Sequence, residues 1–322
     1  MTKRRMALVT AGALVAALGA FVYFNYQHDI QLAHERVATG SRMVETPCGA
    51  IEYALAGVGP PVLILHGAGG GYDQALEFGQ MLVRRGFRVI AVSRFGYLRS
   101  ALPADASAAA QADAYACLLD ALDVRRAAAV GASAGAPSAM QFALRHPGRI
   151  TALVLLVPVA YVPRARDAAP KQIPAVTVFL LKTALKSDFL LWAAMRLARP
   201  AVIRTMLATP PAVVENADAD EQARITELLE HILPVSPRRF GLLNDVAVIA
   251  ALPRYDLERI AAPTLIVGME DDLLGLFDAA RYTAAHIPHA RFIGYPSGGH
   301  LWVGHQKELS SEIEAFLKQR RP

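Results

Sequence analysis

Three side chains stand in the order that acyl chemistry through a serine requires. Ser133 is the centre of Gly131-Ala132-Ser133-Ala134-Gly135, after the apolar run 127–130 and before a helix-like stretch, 137–144. A serine with glycine two residues away on each side, between a strand and a helix, makes a turn so tight that no larger side chain fits beside it. The strained serine then projects its hydroxyl above the sheet edge. A hydroxyl is a weak nucleophile at its free pKa, so it needs a base, and the base needs an orienting carboxylate. With this turn the chain order is serine, acid, histidine. His300, in Ser297-Gly298-Gly299-His300-Leu301, follows the last strand-like run and is the expected base. His305, five residues on, is the weaker alternative and is expected to open the final helix. The acid is expected at Asp271, just past the apolar run 265–267. Strand register favours it over Asp272, and Glu270 is a further neighbour.

A tetrahedral oxyanion needs two preorganised N–H donors. One is expected from the backbone of Ala134. The other should come from the loop His66-Gly67-Ala68-Gly69-Gly70-Gly71, with Ala68 the first choice and Gly69 the second. The same loop could be read as a phosphate cradle, but no Gly-Lys-Ser/Thr or Gly-x-Gly-x-x-Gly spacing with an acidic partner accompanies it. His66 is expected to brace the loop and not to act as a second base. No Cys/His spacing suits a metal, and no cofactor is expected.

The elements that must position these groups alternate. Strands are expected at 51–55, 62–65, 88–92, 127–130, 151–157, 264–267 and 291–294. Helices are expected at 74–85, 107–122 with Ser107 as cap, 137–144, 277–286 and 305–319. This is an α/β chain with a mostly parallel central sheet covered by helices on both faces. From about 161 to 259 the alternation stops. Helical stretches broken by prolines (175–198, 220–232, 237–250) make a helical cap inserted in a core of 45–160 and 260–322. The cap's Phe179, Leu180, Leu181, Phe189, Leu190, Leu191, Trp192 and Met195 are expected to pack against the sheet domain, with a lipid-facing lid as the alternative.

Ahead of the core, Lys3-Arg4-Arg5 precedes a run without a charge, 6–24. Its length comes close to a bilayer core of about 30 Å. An uncleaved transmembrane anchor is expected, ahead of a cleaved signal peptide or a buried core helix. The basic residues before the span place 1–5 in the cytoplasm and the catalytic domain on the other side. Residues 25–44 are expected to be a linker with a short amphipathic stretch. The formal charge of +5 is accounted for by the two ends, Lys3, Arg4, Arg5 and Lys318, Arg320, Arg321, so no nucleic-acid footprint crosses the body. Cys48 and Cys117 are expected to be two buried small hydrophobes, not a disulfide.

The residues 66–70, 93–100 (Ser93-Arg94-Phe95-Gly96-Tyr97-Leu98-Arg99-Ser100), 131–135, 268–271 and 299–300 together resemble the α/β-hydrolase superfamily over roughly 45–319. The resemblance implies the fold, the triad and a variable cap, and is a poor guide to substrate. It is similar in form to esterases, cofactor-free haloperoxidases and hydrolases of carbon–carbon bonds. Serine at the elbow argues against epoxide hydrolase and haloalkane dehalogenase activity. A carboxylic-ester hydrolase acting on small to medium apolar acyl esters is the leading expectation. Carbon–carbon bond hydrolysis would be favoured by arginines near the pocket, for which Arg94, Arg238 and Arg239 are candidates, though surface salt bridging is the expectation for each. Acyl transfer, or a non-enzymatic binding role, are the other readings. The sequence leaves oligomeric state open.

Overall fold

A computed structural model describes residues 3–163 and 185–319. Eight strands form one sheet: β1 (Arg42–Thr46), β2 (Gly49–Ala56), β3 (Pro61–Leu65), β4 (Arg88–Val92), β5 (Ala127–Ala132), β6 (Ile150–Leu156), β7 (Thr264–Met269) and β8 (Arg291–Tyr295), in the order β1-β2-β4-β3-β5-β6-β7-β8. The β1–β2 and β2–β4 pairs are antiparallel and the rest are parallel. β3, β4 and β5 read as continuous apolar runs because both faces are covered. Leu63, Leu65, Ile90 and Val92 face α3 (Ala108–Ala121) and α4 (Ala136–Arg145). Val62, Ile64, Val89 and Ala91 face α2 (Tyr72–Val83) and α11 (Gln306–Lys318). The α3 cap is as expected: Ser107 accepts from the Ala110 amide.

The insert supplies α5 (Asp188–Leu197), α6 (Arg199–Met206), α7 (Pro211–Glu215), α8 (Ala219–Glu230) and α9 (Arg239–Ala250), before α10 (Phe277–His286) returns to the core. Phe179, Leu180 and Leu181 lie outside the described residues. α5 packs only in part as expected: Leu191 and Met195 lie against a cluster that includes Leu301 and Val303 of the core. Trp192 is buried against Ile30 and Ala33 of α1 (Lys3–Thr39), while Phe189 and Leu190 are 40% and 52% exposed.

α1 corrects the expected linker. The helix does not stop at Phe24 but runs on to Thr39, and β1 begins at Arg42. Its first part is bare: Leu8, Val9, Leu14, Val15, Leu18 and Phe21 are all exposed, which removes the buried-core-helix reading. Its last part is docked. Asp29 accepts from Trp192 Nε1 (2.7 Å) and pairs with Arg196 (2.5 Å). Arg36 donates to the Leu233 carbonyl, and Tyr72 donates to the Arg36 carbonyl (2.9 Å).

The cysteines are a second correction. Cys48, at the β1–β2 turn, is disulfide-bonded to Cys117 of α3, 69 residues away.

Candidate active site

Ser133 sits where β5 meets α4, in a 3-10 turn of Ser133–Gly135, with φ of +48°. An L-residue held there is strained and persists only because its surroundings over-determine it. The glycines are required by contact. A Cβ on Gly131 would stand 2.7 Å from the Ala139 Cβ, and one on Gly135 would stand 2.7 Å from the His66 carbonyl. The serine carbonyl accepts from the Val159 amide (3.1 Å), which ties the elbow to the end of β6.

His300 follows β8 on a turn in which Gly298 and Gly299 both have positive φ, +132° and +61°. It is 9% exposed, and its Nδ1 lies 2.8 Å from Asp272 Oδ2. The expected acid, Asp271, is not the residue that meets the imidazole. Its two oxygens accept from the Gly298 and Gly299 amides (3.1 and 2.7 Å), so it shapes the histidine turn. Asp272, one residue beyond the expected acid, takes the place beside the imidazole because β7 ends at Met269. The Asp272 amide bonds back to the Met269 carbonyl (3.3 Å), and this turn moves the inward position on by one residue. Asp272 is 5% exposed, and its other oxygen accepts from the Leu274 amide (2.8 Å). With a carboxylate against Nδ1, the imidazole carries its proton there and leaves Nε2 as the acceptor, the tautomer a general base needs. His305 opens α11, as expected, its carbonyl accepting from the Leu309 amide (2.8 Å).

The glycine loop after β3 packs over the elbow, where a Cβ on Gly67 would lie 3.4 Å from the Ser133 Cβ. Its amides are largely engaged. Gly67 N–H donates to Gln74 Oε1 (3.2 Å), Gly69 N–H to the Tyr97 hydroxyl (3.2 Å) and Gly70 N–H to the Gly67 carbonyl (3.4 Å). Gly69, the second choice of donor, is therefore occupied. Ala68, which is exposed, makes no such bond among the described residues, and Ala134 is buried in the elbow turn.

His66 braces this loop. Its Nδ1 faces the Gly67 carbonyl (2.7 Å) and its Nε2 accepts from the Arg94 amide (3.0 Å). Burial, reinforced by the Arg94 charge, holds its pKa well below the ordinary imidazole value. Arg94 is not at the surface. It is 5% exposed, its Nε donates to the His66 carbonyl (2.9 Å), and its two terminal nitrogens grip Asp245 of α9 at 2.7 Å each. Burial alone would lower its pKa, but Asp245 raises it above the ordinary arginine value. Arg238 is likewise fully buried and grips Asp73 at 3.0 and 2.7 Å. Arg239 lies over the Phe240 ring, 4.4 Å from its centroid. Removing one partner of such a buried pair costs about 3–5 kcal/mol.

Three contributors had no signal in the spacing. Asp245 reaches across from the cap. Thr209, fully buried, fills the space a Cβ on Gly299 would need, and the neighbouring Ala208 carbonyl accepts from the Leu273 amide (3.1 Å). Glu52 of β2, also fully buried, accepts from the Ser93 hydroxyl (2.7 Å), the Arg99 amide (3.1 Å) and Arg99 Nε (2.8 Å), and so holds the turn after β4.

A family profile described as alpha/beta hydrolase fold matches residues 60–303. The chain belongs to the alpha/beta hydrolase fold family. It is 29% identical over 284 residues to a 2-hydroxy-6-oxononadienedioate/2-hydroxy-6-oxononatrienedioate hydrolase of Paraburkholderia xenovorans, an alignment covering 83% of this chain and 90% of that one. An alpha/beta hydrolase fold protein from Nakamurella multipartita superposes with a TM-score of 0.69 at 28% identity, over 87% of this chain and 99% of the other. A bacterial membrane phospholipase A superposes with a TM-score of 0.64 at 19% identity, over 99% of both chains. That last likeness is one of fold, and it takes in the residues of α1.

Proposed function

We propose that this hydrolase-family chain is a membrane-anchored serine hydrolase that cleaves carboxylic esters of small to medium apolar acyl groups. The observation that carries the reading is Ser133 at positive φ on the elbow together with His300 Nδ1 2.8 Å from Asp272. Ser133 Oγ attacks the ester carbonyl while His300 Nε2 takes its proton. Asp272 holds the imidazole and stabilises the imidazolium, without itself taking the proton. The amides of Ala134 and Ala68 receive the oxyanion. The imidazolium returns its proton to the departing alkoxide, leaving an acyl-enzyme. Water, deprotonated by the same nitrogen, then releases the acid and restores the serine.

Carbon–carbon bond hydrolysis uses the same groups, and the Paraburkholderia relative is named as a hydrolase of a hydroxy-oxo dioate. Such bond cleavage is the second reading. Against it stands the fate of two of the candidate arginines: Arg94 and Arg238 are closed into ion pairs with Asp245 and Asp73, so neither offers a free charge to a dicarboxylate. The anchor reading draws on the uncharged run 6–24 of α1, whose large apolar side chains are mostly bare, and on the disulfide. Such bonds persist in oxidising compartments outside the cytoplasm.

The test is a fluorophosphonate probe followed by a panel of p-nitrophenyl esters, on the full chain in detergent. Labelling is expected and is lost in Ser133→Ala. Each added methylene should contribute about 0.8 kcal/mol, roughly fourfold in kcat/KM, from acetate up to about hexanoate or octanoate. No labelling of the folded protein would leave a binding role as the better account. A steady decline from acetate upward would remove the apolar acyl pocket.

A further inference from the structure

Between the docked part of α1 and the cap helices lies a crevice of about 310 Å³, lined by none of the catalytic groups. Its walls are apolar, with Leu32, Ala33, Met195, Leu229 and Leu233. Its charges are uneven. Asp29 is satisfied by Trp192 and Arg196. The Arg199 guanidinium donates only to the neutral Thr226 hydroxyl (2.5 Å) and has no carboxylate within ion-pair distance among the described residues. Arg36 keeps a buried Nε without a hydrogen-bond partner; the carboxylate 3.7 Å away, Asp73, is already gripped by Arg238. Burial lowers the Arg36 pKa against the opposing pull of Asp73. Glu230, exposed at the rim, is the opposing charge.

The crevice also has a defined height. Asp29 is five residues beyond Phe24, about 7.5 Å along a helix. The headgroup layer outside a bilayer core is roughly 5–8 Å deep on each side. Trp192 and Arg196, tied to Asp29, therefore stand at headgroup level.

We propose that this crevice binds an anionic amphiphile, its carboxylate or phosphate group held by Arg36 and Arg199 and its acyl chain laid along Leu32, Leu229 and Leu233. The placement at the lipid surface rests on the anchor reading; the crevice and its charges do not. Such a ligand bridges α1 and the cap, so it stabilises the docked arrangement by mass action.

The experiment uses the full chain as Ser133→Ala in a non-ionic detergent, so that no probe is hydrolysed. Trp192 fluorescence is titrated with dihexanoyl phosphatidylglycerol, with dihexanoyl phosphatidylcholine and with dodecanoate, and Trp192→Phe serves as the blank for Trp302. A saturable change is expected with the anionic probes and not with phosphatidylcholine. Arg199→Gln should weaken binding about tenfold, the worth of one charge-assisted contact. Glu230→Gln should tighten it, a change of opposite sign that misfolding cannot imitate. Phosphatidylglycerol binding better than dodecanoate identifies a lipid headgroup as the source, and the reverse order identifies a free fatty acid. Equal binding of phosphatidylcholine, or affinities unmoved by both substitutions, would overturn the proposal. Ester turnover by the unsubstituted chain is read separately, so loss of the crevice and loss of the hydrolase reading are distinguishable.

Discussion

The turns that carry Ser133, Asp272 and His300 and the seam between α1 and the cap are built on opposite plans. At the turns, each group takes its conformation from backbone within a few residues of itself: Ser133 from its glycines, His300 from Gly298 and Gly299, Asp272 from the turn at Met269. Asp271 and Ala208 brace the result from farther away. At the seam, the contacts join residues far apart in sequence, as in Asp29 with Trp192 and Arg196 and Arg36 with Leu233. Local constraint of the first kind leaves a mark in the order of residue types. Pairing of the second kind leaves almost none.

The sharpest test of that contrast lies within the turns. Ser133→Ala and His300→Ala should each reduce turnover by several orders of magnitude, because triad members act as a unit. Asp272→Asn should cost about 10⁴-fold by favouring the wrong tautomer. Asp271→Asn, which keeps an acceptor oxygen for the glycine amides, should cost far less. Steady-state kinetics on a soluble ester decide it; an Asp271 variant more damaged than the Asp272 variant would reverse the assignment.

Truncation tests the seam. Removing residues 1–24 should leave the fold and the turnover of soluble esters nearly intact. Removing 1–39 bares Trp192 and Leu233 and takes Arg36 from Leu233 and Asp73, at a cost on the order of 3 kcal/mol or more. Chemical denaturation of the two truncated proteins reads the difference. Equal stability would mean that the docked contacts contribute nothing.

A smaller loss is expected for Asp29→Ala, which strands the Trp192 N–H and Arg196: about 1–3 kcal/mol, read the same way.

The smallest effect concerns pH. His66 is held neutral in the fold, its pKa below the unfolded value of about 6.5. Below that pH the unfolded chain binds a proton that the native chain refuses, so stability falls as pH falls, by up to about 1.4 kcal/mol per unit. The contribution is fully present above the unfolded pKa. His66→Gln should flatten this slope in the window below about pH 6.5, and an unchanged slope would assign the acid sensitivity elsewhere.

How much of this was legible follows from the same contrast. The sheet, the elbow, the histidine turn and the glycine loop could be read because glycine spacing and apolar runs report backbone requirements directly. Asp272 was missed by one residue, since strand alternation was carried past the point where β7 turns. The docked half of α1 was missed because residues 25–39 reveal their partners only when the cap is folded beside them. Arg94 and Arg238 read as surface charges until Asp245 and Asp73 arrived from 151 and 165 residues away. The Cys48–Cys117 bond was missed for a like reason, as two cysteines carry no spacing pattern.

α1 has a mechanical consequence. A helix that runs without a break from the uncharged span into the docked segment leaves no swivel between that span and the hydrolase-fold domain. The docked stretch, Asn25 to Thr39, extends about 22 Å at 1.5 Å per residue, and it is held along that length by the cap and by α2. Anchored in a bilayer, the domain keeps one height and one tilt. On the proposed anchoring, it would sample the leaflet beneath it by lateral diffusion and would not reach across to an apposed surface. On mixed vesicles, turnover would then track the two-dimensional density of substrate in the enzyme's own bilayer, and adding substrate in separate vesicles would leave it unchanged.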